Sequence, residues 1–537
     1  MPGLPALPDP ARAARTAIPR ATAAIVAMGL VWRVVRYLAN WPLWGDEAYL
    51  AVSLLTRDFA GLARPLEYYQ IAPVGFLWVE LAAVRLLGAG EWALRLVPFL
   101  AGVGSLLLFR RFAGEVLDRC AALMAVGIFA ISFYPVRHAT EVKPYATDLL
   151  LSLVVTCLAR RAWDRPDAPG AWLAMTTAAA AGVWASYPLI FVAAGVALVL
   201  AGRVGVRPSR RLAFWLGFGA ASLASWAAMY LGFARPQSLD APFYQQMPTW
   251  EDAFPPVDRP WALPWWFLRV HAGNMMAYPY GGNNFGSLAT AVLVAIGGRV
   301  LWRRDRALLA LLLVPLGPAF VAAAARRYPY GTSARISLFL APAVCLLAGQ
   351  GLAALFATRL PRPAARRALL GTTVGFALVA LACAVGSVVM PYKATVDRET
   401  RRVVRDLVAR TGPGDRWIGF NGMVALPKIK QLMLMPWLQH AAEFQFYALR
   451  DAPVPIDWMP EPGAAPPATA GRTWFLLHRV EYDRFPSDLL DAHLGSLTAR
   501  LGTPTVQGYE PTPGETVRAI VFPAPVASAS ARSSTPR

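Results

Sequence analysis

Three groups of residues in this 537-residue chain carry more chemistry than a plain connecting loop requires. The first is Asp46-Glu47, in Trp44-Gly45-Asp46-Glu47-Ala48-Tyr49, directly after an apolar run. Two adjacent carboxylates there stand where a lipid headgroup would lie, and a carboxylate can serve as general base toward a hydroxyl. The second is the short stretch from Arg137 to Asp148, which holds His138, Glu141, Lys143 and Tyr145 between two apolar runs. The third is Arg326-Arg327-Tyr328-Pro329-Tyr330-Gly331-Thr332-Ser333-Ala334-Arg335, with three arginines and no acid. A guanidinium offers forked donors matched to phosphate oxygens. Each group also has a plainer reading: solvated acids, a self-neutralising ion-pair cluster, and a local exception to the charge rule that orients membrane proteins.

What must position these groups is a bilayer. Charged residues are only 16% of the chain and hydrophobic residues 56%, with mean hydropathy +0.41, where a soluble domain carries about a quarter charged residues. Apolar runs near the span-forming length of ~20 residues recur between Ala21 and Met390. The net charge of +20 raises a nucleic-acid reading. The arginines, however, sit at the ends of apolar runs, where inside-positive orientation and anionic headgroups account for them. No nucleic-acid partner is expected. Cys120, Cys157, Cys345 and Cys383 all lie in apolar runs, so neither a disulfide framework nor a thiolate metal site is expected. No cofactor is implied, and a divalent metal stays open. The first apolar run contains Arg33 and Arg36 and lacks a small-residue cleavage site, so no cleaved signal is expected.

Basic breaks should face the cytoplasm, and those at 203–211 and 359–367 are the strongest. With a cytoplasmic segment 1–19, the spans fall near 20–40, 92–109, 120–136, 146–159, 171–185, 189–202, 212–233, 287–301, 307–324, 336–355 and 368–391. This predicts an all-α polytopic domain, 20–391, of about eleven transmembrane helices in the plasma (inner) membrane. Counting 71–88 as a further span would put every later basic break outside, and it carries Glu80 and Arg85, costly at mid-membrane. It reads instead as an outer-face interfacial helix. The outer loops are then 41–91, 137–145, 234–286 and 326–335, which gathers all three groups on the non-cytoplasmic face. Residues 392–522 read as a small α/β extracytoplasmic domain, from strand-like runs at 416–420, 473–477 and 517–522. The Ala/Ser/Pro-rich tail 523–537 reads as disordered. Trp250, Trp261, Trp265, Trp266, Tyr278 and Tyr280 in loop 234–286 suit either a sugar-stacking platform or an aromatic interface belt, the belt being the commoner use.

Gly45-Asp46-Glu47, the segment 69–95, Glu141-Val142-Lys143-Pro144-Tyr145 and the stretch Tyr328…Arg335…Pro342 resemble the GT-C membrane glycosyltransferases. The nearest branch is that of the bacterial relatives of protein O-mannosyltransferases and of the aminoarabinose transferase that modifies lipid A. The likeness covers roughly residues 20–345. It implies a polyprenyl-phosphate-linked sugar as donor, an acceptor hydroxyl on a lipid, glycan or protein, and metal-independent transfer at the outer face. It also implies that Asp46 is the general base, that Glu47 positions the acceptor, that Glu141 is the second-loop acid and that Arg335 lies near the donor phosphate. Lys143, Arg326 and Arg327 join that phosphate site on physical grounds, and Tyr145 as part of the second motif. The competing class is a transporter or flippase of a lipid-linked sugar or anionic solute, against which stand acids gathered on one face and no visible repeat.

Overall fold

The computed structural model describes residues 10–205, 207–240, 252–359, 362–389, 395–420, 435–451, 456–459, 471–478, 487–512 and 515–524. Residues 1–9 of the expected cytoplasmic segment, Trp250, and residues 525–537 of the expected tail lie outside these. The first half is helical: α1 (Pro10–Leu38), α2 (Gly45–Thr56), α3 (Val74–Leu87), α4 (Glu91–Val116), α5 (Arg119–Ile131), α6 (Phe133–Arg137), α7 (Tyr145–Asp164), α8 (Pro169–Gly182), α9 (Leu189–Val204), α10 (Arg210–Met229) and α11 (Arg235–Asp240). Then follow α12 (Leu263–His271), α13 (Leu288–Arg304), α14 (Arg306–Leu313), α15 (Leu316–Ala324), α16 (Ala341–Arg359) and α17 (Arg362–Val389).

All eleven runs expected to span are helical, because a chain in hydrocarbon must satisfy its backbone polar groups internally. Among the described residues, six helices are long and apolar enough to cross a membrane: Ile18–Leu38, Glu91–Val116, Arg210–Leu239, Arg306–Ala324, Leu338–Thr358 and Arg367–Val389. A seventh is α5 with the following Phe133–Thr140, if this pair, bent by 54°, counts as one span. Ser132 sits at the bend and its hydroxyl donates to Ile128 O at 2.7 Å, the back-bonding that bends helices. Helices α7, α8, α9 and α13 are shorter or less apolar. Helix α17 turns Leu370, Leu378, Leu381 and Val389 outward, each at least 60% exposed, a surface suited to lipid rather than water.

Helix α3, on the run at 71–88, is not among the helices long and apolar enough to cross a membrane. Its 14 residues measure about 21 Å, against a hydrocarbon core of about 30 Å. Gly88, at φ +92°, ends it in a conformation that costs glycine little. Glu80 inside this helix is fully buried, and neither carboxylate oxygen has a hydrogen-bond partner among the described residues. Burial holds its carboxyl well above the ordinary range.

The C-terminal part comprises α18 (Thr395–Arg410), β1 (Arg416–Phe420), α19 (Met435–Asp451), β2 (Ile456–Met459), β3 (Thr473–His478), α20 (Ser487–Leu501), β4 (Thr505–Thr512) and β5 (Glu515–Phe522). The strands form one sheet in the order β2-β1-β3-β5-β4. β1 runs parallel to β2 and β3, and β5 antiparallel to β3 and β4. The three strand-like runs fall on β1, β3 and β5. β2 is four residues long, and β4 carries Gly508 and Pro511, residues depleted from strands. This part shares an apolar core with the 41–91 segment: Val404 and Leu407 of α18 and Phe446 and Tyr447 of α19 pack with Leu43, Leu50 and Leu54.

Candidate active site

Asp46 and Glu47 occupy the first turn of α2, where free N–H groups and the helix dipole favour carboxylates. Their side chains go opposite ways. The oxygens of Asp46 lie 3.1 Å from Lys143 Nζ and 2.8 Å from Arg335 Nη1. Lys143 Nζ also donates to Gln70 Oε1 at 2.7 Å. Burial acts to raise the Asp46 carboxyl, but Lys143 and Arg335 outweigh it and hold it below its ordinary value. The Lys143 ammonium is lowered by burial, with Asp46 opposing the shift.

Glu47 is 1% exposed and is forked by Arg95 of α4, with Nε 2.8 Å and Nη2 2.6 Å from its two oxygens. It also accepts Val142 N–H at 3.0 Å, tying α2 to the connection between α6 and α7. Glu141 in that connection is buried between Arg137 Nε at 2.5 Å and His138 Nδ1 at 2.7 Å. Burial opposes its ionisation, but Arg137 and His138 dominate and keep it well below the ordinary range. The connection rests on α4 at Gly102, where a Cβ would come 2.3 Å from Ala139 Cβ, so only glycine permits this approach.

The arginine-rich segment follows α15. Arg326 takes a left-handed φ of +53°, and its guanidinium lies 5.4 Å from the Phe254 ring centre. The preceding loop cradles the segment: Ala253 O accepts from Tyr330 N at 2.8 Å, and Asn274 Nδ2 donates to Thr332 O at 2.5 Å. Of that loop's aromatics, Phe254 lines the cavity of the site, and Trp261, Trp265, Trp266, Tyr278 and Tyr280 do not. Trp261 and Trp265 are exposed, Trp266 and Tyr278 are buried, and Tyr280 contacts Cys383.

A cavity of about 380 Å³ joins these elements, and Asp46, Lys143, Tyr145, Arg326, Arg327 and Arg335 all line it. Glu47 and Glu141 do not; arginines turn both carboxylates away from it. Glu47, expected to position the acceptor, and Glu141, the expected second-loop acid, instead tie together the elements around the cavity. The sequence did not single out Gln70, Tyr187 or Tyr230, which also line the cavity. Nor did it separate Asp148 from its neighbours. Asp148 is 5% exposed on the cavity wall, and its Oδ1 has no hydrogen-bond partner among the described residues. Tyr230 begins a π-helical turn, Tyr230–Ala234, a local widening that often marks functional sites and has no simple sequence signature. Among the described residues no three His, Cys, Asp or Glu side chains gather as a metal site requires.

Residues 72–230 match the family model described as dolichyl-phosphate-mannose-protein mannosyltransferase. That stretch holds Glu141, Lys143 and Tyr145 but neither Asp46 nor Arg335. The structure is similar to that of ArnT from Cupriavidus metallidurans in the apo state, with a TM-score of 0.54 at 16% identity, covering 93% of this chain and 98% of that one. ArnT from the same organism bound to undecaprenyl phosphate gives a TM-score of 0.52 at 16% identity over the same shares. No protein of curated function matches by sequence. The chain has the GT-C fold of multi-pass membrane glycosyltransferases.

Proposed function

We propose that this GT-C-fold chain moves a sugar from a polyprenyl-phosphate donor to an acceptor hydroxyl on the non-cytoplasmic face of the plasma membrane. The observation that carries this reading is one cavity in which a carboxylate at a helix N-terminus, Asp46, sits between Lys143 and Arg335, with Arg326 and Arg327 also lining it. ArnT, which shares the fold, has been solved with undecaprenyl phosphate, and this chain's basic wall suits the same headgroup chemistry. In the reaction the acceptor oxygen bonds to the anomeric carbon as its proton passes to Asp46. The bond from that carbon to the phosphate oxygen breaks, and its electron pair leaves on the phosphate. Arg335 and Lys143 stabilise the charge that gathers there. Glu47, through Arg95, and Glu141, through Arg137 and His138, act as positioning residues. In a deletion strain the polyprenyl-phosphate sugar should accumulate while one envelope glycan, glycolipid or glycoprotein loses a sugar, and wild-type protein should restore both. Accumulation restricted to the cytoplasmic leaflet would instead mark a flippase.

The sidedness follows from the eleven-helix reading, with the N-terminus inside and residues 392–522 outside. It is supported by the packing of the C-terminal part against the 41–91 loop, since parts in contact must share a face. On a background lacking the four cysteines, single cysteines replacing Asp58 and Gly90 should both react with an impermeant thiol reagent added from outside. A Gly90 position reached only from the cytoplasm would sink this topology.

A further inference from the structure

The segment between α1 and α2 has no regular structure of its own, yet it delivers Asp46 to the cavity. Distant side chains fix its backbone from two sides. From the membrane domain, Arg95 Nη1 donates to Trp41 O at 2.6 Å and Arg95 Nη2 to Pro42 O at 3.3 Å. From the C-terminal part, Arg401 Nη2 donates to Asn40 O at 3.0 Å, and Leu43 N donates to the Tyr447 hydroxyl at 2.7 Å. The Tyr447 hydroxyl in turn donates a hydrogen bond to Glu91 Oε1 at 3.0 Å. The Glu91 carboxylate also receives Arg401 at 2.5 Å and Arg450 at 2.9 Å. Leu43, Tyr447 and Glu91 are all buried, so these bonds are made away from water.

The same helix, α19, reaches the other side of the site. Gln445 bonds to the Tyr68 hydroxyl. Tyr68 and Tyr69 both take left-handed φ angles, a conformation most side chains avoid. Directly after them comes Gln70, which holds Lys143. Helix α19 therefore braces both the strap that ends in Asp46 and the loop that sets Lys143.

We infer that the C-terminal part is a working half of the active site, and that Tyr447 is a positioning residue for Asp46. The arrangement points beyond ordinary docking. A module that only docked would not need to satisfy the backbone of the strap itself. Here the hydroxyl of one tyrosine closes the Leu43 N–H, three residues before the carboxylate.

The test uses the full-length protein in detergent and compares wild type, Tyr447→Phe and Asp415→Asn. Asp415 bonds Arg472, Trp474 and Gly412 inside the C-terminal part, so its loss weakens that part without touching the strap. Hydrogen exchange of the backbone amides at 43–47 should be roughly tenfold faster in folded Tyr447→Phe, because a buried N–H has lost its acceptor. Asp415→Asn should leave those amides unchanged. Unchanged exchange in folded Tyr447→Phe, or equal acceleration in both variants, would overturn the inference. The catalytic consequence rests on Asp46 being the base. With lipid-linked sugars extracted from the host membrane as donor, Tyr447→Phe should lower kcat roughly tenfold and keep KM within twofold. A raised KM with normal kcat would refute positioning of Asp46. The exchange arm needs no substrate, so absence of transfer in the wild type would count against the transferase reading and leave the strap inference to stand on its own data.

Discussion

Purified Asp46→Asn protein is expected to transfer sugar at least ~10²-fold more slowly than wild type, because the amide keeps the shape of the carboxylate but takes no proton at neutral pH. The structure adds a second expectation with the opposite sign. Asp46 pairs with both Lys143 and Arg335, so it competes with a donor phosphate for both cations. Removing its charge should tighten binding of undecaprenyl phosphate while turnover collapses. A normal transfer rate would remove Asp46 from the base role, and weakened phosphate binding would contradict the competition. The pH dependence follows from the same contacts. Against burial, the two cations keep Asp46 below its ordinary value, about 3.9 for an aspartate. It therefore stays ionised, and able to accept a proton, until pH falls through that lowered value. No acid limb from Asp46 should appear in kcat/KM above about pH 5. A bound phosphate would draw the cations away and let the carboxyl rise toward its ordinary value, making it a stronger base when the donor is in place.

Arg335→Ala should weaken binding of undecaprenyl phosphate by about 10- to 100-fold, the range for losing hydrogen bonds to a charged group worth ~1.5–3 kcal/mol. Arg335→Lys should recover only part of this, since an ammonium offers no fork. The Arg335 side chain is 29% exposed, so both variants should remain folded in the membrane. The alanine variant also removes one of the two cations that depress Asp46, so any acid limb should move to higher pH. Titration of the two variants with undecaprenyl phosphate decides the matter. Unchanged affinity in both would take Arg335 out of the site, and would leave Lys143, Arg326 and Arg327 to account for the basic wall.

The sequence by itself determined the bilayer class, the helical state of the long apolar runs and part of the charged lining of the cavity. These are local properties: hydrocarbon forces the backbone to satisfy itself, and charge is costly within hydrocarbon, so it collects visibly at the ends of apolar runs. It also marked Asp46, Lys143, Arg326, Arg327 and Arg335, which line one cavity, as one chemistry. Which of two adjacent acids faces the cavity was not legible. Successive side chains on a helix point about 100° apart, and the choice between Asp46 and Glu47 was made by Arg95, on another helix, taking Glu47. Glu141 was likewise turned inward by Arg137 and His138. Gln70, Tyr230 and Tyr447 gave no local signal, because what each does depends on partners far away in the chain or on a π turn with no simple sequence signature. The C-terminal part read as a separate module because composition changes near residue 392, yet burial of Leu43, Phe446 and Tyr447 in one core joins it to the 41–91 segment. Periodicity and charge settle what each segment is made to do; only tertiary contacts, paid in long-range packing and buried hydrogen bonds, decide which side chain reaches the reacting atoms.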